Sequence, residues 1–199
     1  MNIKIACSLM FVFFPLSLAW GTVNNSKHDL SYLGGETCSY CHSVHNAVGG
    51  LGRPAYMGSL PNITDVYDSN TFDHSTRLTL ASVSNSDAPL CLSCHDTTSI
   101  DTFSDVNIRD DLHAKIDNTQ RDIGLDLSND HPVGFVFDAS LDDQIVAPPA
   151  DSKVHITFGP NRNEMWCSTC HNVHGGEPGT PFLVMSNQGS DLCFTCHIK

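Results

Sequence analysis

Hydrophobic positions are spread unevenly along this chain of 199 residues. A largely apolar run fills residues 5–18, preceded by the single cation Lys4 and followed by a small-x-small step at Ser17, Leu18 and Ala19. At about 14 residues the run is too short to span a bilayer, Pro15 interrupts it, and its layout is that of an export signal. We read residues 1–19 as a signal peptide that takes Cys7 with it. Residues 20–199 are then the mature, exported chain. No later stretch reaches spanning length, so no membrane insertion is expected. A short apolar run at 133–137, just after a proline, predicts a short strand, and a second short strand is expected near 153–158. Residues 49–88 read as a polar insertion.

Composition argues against large regular elements. Asp outnumbers Glu by 19 to 3, beside 14 Asn, 14 Gly and 10 Pro, all residues that favour turns and caps over helix interiors. The formal charge is −12, and removing Lys4 with the signal makes it −13. Such a surface excludes nucleic acid, whose phosphates need a Lys/Arg footprint, and offers no basic cluster to an anionic membrane. With so few core-forming segments, something other than a large apolar core must hold the chain together.

Apart from Cys7, the cysteines fall into four copies of one pattern. They are Cys38 and Cys41 with His42, Cys91 and Cys94 with His95, Cys167 and Cys170 with His171, and Cys193 and Cys196 with His197. Exported chains use cysteines for disulfides, and CxxC pairs also hold zinc. Neither use requires a histidine directly after the second cysteine in every copy, and chance would place four there with a probability on the order of 10⁻⁵. C-x-x-C-H is the attachment site of haem c. Two cysteines three apart lie on one face of a helical turn and reach both vinyl groups, and the adjacent imidazole turns to the iron. A short helix is therefore expected at each motif, with four haem c groups on one mostly loop chain organised by haem stacking. Phe72, Leu78, Phe135, Phe137, Phe158, Phe182 and Leu183 are expected to cover porphyrin rather than one another.

The second axial ligand decides what such iron does. Seven further histidines remain, His28, His45, His74, His113, His131, His155 and His174, against three mature methionines, Met57, Met165 and Met185. Histidines are numerous enough to cap all four irons; methionines are not. Six-coordinate bis-His iron has no open position for a substrate, so it carries electrons. The first and third motifs both continue as CxxCHxVH, ending at His45 and His174, and each is followed by an LCxxCH motif. The chain thus reads as one tetrahaem domain of two haem pairs, about 28–95 and 131–199. His45 and His174 share a turn with a proximal histidine and cannot cap their own haem. His74, His113 and His155 sit in polar surroundings without a repeat partner and read as surface residues.

Several segments together carry a family resemblance: CxxCHxVH…LCxxCH, an early HDLS at 28–31, a central DHPVGF at 130–135, and the late CSTCHNVHG…FL…LCFTCH. The chain resembles the doubled-CXXCH multihaem cytochromes of metal-reducing bacteria. Among these it is most similar to four-haem members that polymerise outside the cell into cytochrome nanowires. The resemblance implies bis-His haems in a continuous stack, with His28, His45, His131 and His174 as distal ligands. It also implies a homopolymer in which a histidine, here His45, caps a haem of the next subunit.

The leading expectation is a non-enzymatic electron conduit, secreted or at the cell surface. Its partners would be further copies of itself, other redox proteins and extracellular acceptors. A periplasmic shuttle that does not polymerise has the same motifs. A nitrite- or hydroxylamine-type reductase would need an open iron with cationic groups around it, which this acidic chain does not supply.

Overall fold

The computed structural model describes residues 23–42, 62–68, 85–116 and 122–198. Regular structure among them is sparse, as the turn-rich composition predicts. Four short helices are α1 (Ala88–His95), α2 (Thr97–Ile100), α3 (Val106–Ile116) and α4 (Asp191–Phe194). Four two-residue strands are β1 (Asp65–Val66), β2 (Asp126–Leu127), β3 (Phe135–Val136) and β4 (Glu164–Met165). Single 3-10 turns occupy Ser31–Leu33, Thr37–Tyr40, Ala139–Leu141, Cys167–Thr169 and Gln188–Ser190.

Local side-chain chemistry sets most of these boundaries. Pro89 opens α1, where its fixed φ suits the first turn and its missing N–H costs nothing. The chain leaves α1 at Asp96, whose carboxylate caps α2 by accepting from the Ser99 N–H at 2.8 Å and the Ser99 hydroxyl at 2.6 Å. Asp105 caps α3 in the same way, accepting from the N–H groups of Asn107 and Ile108. α3 was not foreseen from the sequence, although Ile108 and Leu112 stand four apart on the face that meets Ile100 and Phe103.

β1 runs parallel to β2 in the register Asp65↔Asp126, and β3 antiparallel to β4 with Phe135↔Met165. β3 is the strand expected near 134–137. The strand expected near 153–158 does not form. There a single bridge joins Phe158 to Glu164, and Gly159, with φ of +80°, turns the chain before a ladder can start.

Two small clusters replace one core. Trp166, Leu92, Ala88, Ile63 and Leu127 form the first, and Ile100, Phe103 and Leu112 the second. The first draws on residues from 63 to 166, so it joins the two halves of the described chain. Phe135, Phe137, Phe158, Phe182 and Leu183 are all only half-buried by protein. Phe72 and Leu78 lie outside the described residues.

Candidate functional site

Each CxxCH segment sits on a helical turn: Thr37–Tyr40, α1, Cys167–Thr169 and α4. In three of them the histidine N–H donates to the carbonyl of the first cysteine. The distances are 2.9 Å for His42, 3.1 Å for His171 and 2.9 Å for His197. This one turn places both sulfurs and the imidazole of a motif on the same side of the backbone.

Three of these histidines face a second histidine from a distant part of the chain. The ring centres are 5.8 Å apart for His28 and His95, 6.0 Å for His42 and His174, and 6.3 Å for His131 and His197. Their interplanar angles are 71°, 22° and 89°. Ring contacts alone reach such separations, and so does coordination. A metal–nitrogen bond of about 2 Å on each side, plus about 1.2 Å from nitrogen to ring centre, gives roughly 6.3 Å. The residues present therefore fit an iron between each pair.

Hydrogen bonds set the tautomer of two of these rings. His171 Nδ1 lies 2.8 Å from the Pro181 carbonyl oxygen, and His131 Nδ1 lies 3.1 Å from that of Pro132. A carbonyl only accepts, so Nδ1 carries the proton and Nε2 keeps the lone pair that a metal takes. Burial lowers the pKa of His28, helped by His95 and His171 nearby. Partial burial lowers that of His131 as well, opposed by the Pro132 hydrogen bond and aided by His197. Both shifts favour the neutral, ligating form. His28 also packs against Phe182 at 4.9 Å, and its Nδ1 is buried with no hydrogen-bond partner.

The thiols of the motifs are held in their neutral form by their surroundings. Burial pushes up the thiols of Cys41 and Cys170, and Cys196 is pushed up to about 11 by burial and by Cys170. Cys167 is raised well above the thiol range by its hydrogen bond with Cys91, by burial and by neighbouring charge. Thioether attachment consumes the thiol and needs no thiolate in the finished protein.

Short segments hold the motifs in place. The third is strapped by residues 181–184: Asn172 N–H donates to the Phe182 carbonyl at 2.6 Å and Val184 N–H to the Cys170 carbonyl at 2.9 Å. The fourth is bracketed by Val146 N–H donating to the Cys196 carbonyl and Ile198 N–H to Gln144. Asp29 does not serve the adjacent His28 ring. Its carboxylate accepts instead from Asn25 N–H at 2.7 Å, Ser31 N–H at 3.1 Å and the Thr37 hydroxyl at 2.9 Å. It thereby ties the His28 turn to the start of the first motif.

Other sequence candidates lie apart from these pairs. His113 on α3 meets Asp101 at 2.9 Å, and His155 is exposed. His45 and His74 lie outside the described residues. A contact missed in the sequence joins the second and third motifs. Asp87, just before α1, accepts from Ser168 N–H at 2.6 Å and lies beside Cys91 and Cys167. No local pattern signals a contact across 81 positions.

Among the described residues no helix is long and apolar enough to cross a membrane. No curated protein matches the chain. The family model for the doubled CXXCH motif matches residues 159–199, which hold the third and fourth motifs. The motifs indicate covalently bound haem c with iron, and the doubled arrangement supports a multihaem c-type cytochrome in electron transfer.

Proposed function

We propose that this chain is an exported electron-transfer protein carrying four bis-His haem c groups, and that it is the subunit of an extracellular cytochrome filament. The observation that carries the reading is the set of three histidine pairs at iron-sandwich separation, each pairing a CxxCH histidine with a distant one. Bound haem supplies one-electron chemistry between ferrous and ferric iron. The chain's residues would do the rest: eight cysteines would anchor the porphyrins, and paired imidazoles would hold the irons. With a fourth such pair, no position would stay open for a substrate, and the chain would act as a conduit and not an enzyme.

The ligand set follows from the pairing. His28 belongs with His95, His174 with His42, and His131 with His197. His171 is left for His45, and the repeat supports that assignment. The third-motif His174 serves the first motif, so its repeat equivalent in the first motif serves the third. Supplied by a neighbouring subunit, His45 would make one iron–imidazole bond the link between copies.

Electron microscopy of the purified native protein tests the filament, and visible spectroscopy with intact mass tests the haems. Expected are long fibres, a mass increment of four haems, a sharp low-spin reduced band and no carbon monoxide binding. Compact particles would favour a shuttle. Carbon monoxide binding by the reduced wild type would indicate an open, catalytic iron. His45→Ala is expected to keep all four haems attached, open one iron to carbon monoxide and shorten or abolish fibres. A variant that still polymerises with four low-spin haems would remove His45 from this role.

A further inference from the structure

Asp87 stands where two haem-attachment segments meet, and the reading above does not account for it. Its side chain is buried, at 8% exposure, and one carboxylate oxygen accepts from the Ser168 N–H at 2.6 Å. The other, Oδ1, is buried with no hydrogen-bond partner. Asp87 is one turn before Cys91 and, through Ser168, adjoins Cys167. A carboxylate oxygen of Asp87 and the sulfurs of Cys91 and Cys167 all lie within 4.8 Å of one another.

An incompletely bonded buried carboxylate is costly to keep and points to a use. Three such atoms would also suit a soft metal ion. Both sulfurs, however, begin CxxCH motifs, where thioether attachment would consume them.

We propose that Asp87 is a potential-setting and positioning residue for the haems attached at the second and third motifs, placed at the junction of their thioether edges. The proposal rests on the haem reading given above. The carboxylate's negative charge favours ferric over ferrous iron at both centres, because the ferric state carries one more positive charge and the surroundings are dry. Both haems are therefore harder to reduce than they would be with a neutral side chain at position 87. The Ser168 hydrogen bond keeps the two attachment segments, and with them the two sulfurs, side by side.

Asp87→Asn in the full holo-protein tests this, since an amide oxygen can still accept from Ser168 N–H while the charge is removed. Redox titration followed in the visible is expected to show two of four midpoint potentials rising and two unchanged. Asp87→Glu, which keeps the charge, is expected to stay nearer the wild type than Asn. Where the Asn protein accumulates poorly, Asp87→Ser, uncharged and well suited to the start of a helix, should raise the same two potentials. Four unchanged potentials, a uniform shift of all four, or a Glu variant that behaves like Asn would overturn the proposal. Intact mass and peptide mapping of the wild type keep the two levels apart. Haem missing from Cys91 or Cys167 would remove the underlying reading, whereas full attachment with unmoved potentials would remove only the role of Asp87.

Discussion

The rings of His131 and His197 meet nearly at right angles with their centres 6.3 Å apart, although the whole third motif and its strap lie between them in sequence. The Pro132 carbonyl holds the His131 ring through Nδ1, leaving Nε2 for iron. His131→Ala is expected to retain every thioether while one haem becomes high-spin and binds carbon monoxide when reduced. Intact mass together with the reduced carbon monoxide difference spectrum reads both effects. A variant that stays entirely low-spin would mean that another residue caps that iron.

Hydrogen bonds from Asn25, Ser31 and Thr37 hold the Asp29 carboxyl well below the usual carboxylate range. A depressed folded pKa means that the unfolded chain binds the proton more readily. The stabilisation is then fully present above the unfolded value of about 3.9 and is lost as pH falls further toward the folded pKa. Melting temperature is expected to drop below about pH 4 in the wild type. In Asp29→Asn that part of the acid limb should flatten. An identical acid limb in the variant would show that the Asp29 clamp contributes nothing to it.

Gly134 adopts φ of +77°, and a Cβ there would stand 3.2 Å from the Trp166 ring. A left-handed non-glycine residue costs roughly 1–2 kcal/mol, before any displacement of the ring is counted. Gly134→Ala should therefore lower the unfolding free energy by about that amount, measured by denaturant titration of the haem absorbance. Because Gly134 N–H donates to the Met165 carbonyl at 2.9 Å, the change should also loosen the start of β3 beside His131. A variant as stable as the wild type would show that the backbone relaxes freely at this turn.

Without haem, the two small clusters are the main apolar support among the described residues. Each is far short of the burial that offsets backbone ordering in a domain of this size. Chain produced in a host unable to attach haem should show little regular circular dichroism and no cooperative melt. A sharp, native-like transition would contradict this.

The helical turns at the motifs were legible because cysteine and histidine spacing is a local property, and β3 because an apolar run follows a proline. α3 was legible in principle, since Asp105 caps a run with Ile108 and Leu112 four apart. It went unread because its surroundings are polar and carry no motif. The run near 153–158 has strand-like residues, but a strand needs a partner along its length, and Gly159 ends the pairing after one bridge. At the site, which residues are candidate ligands could be written down from repeats and resemblance. Which ring faces which could not, since His28 with His95 or His42 with His174 depends on tertiary placement. The Asp87 contact with Ser168 is of the same kind.

The strap at residues 181–184 has a kinetic consequence. Its bonds to the third motif run from His171 to Pro181, Asn172 to Phe182 and Cys170 to Val184, so each closes a loop of little more than ten residues. The contact between the second and third motif segments, Asp87 with Ser168, instead spans 81 positions. Short loops close faster and lose less chain entropy on closing. The strap therefore forms before the junction between the second and third motifs. Pulse-labelled hydrogen exchange during refolding of the haem-loaded chain should protect the Asn172 and Val184 amides ahead of Ser168.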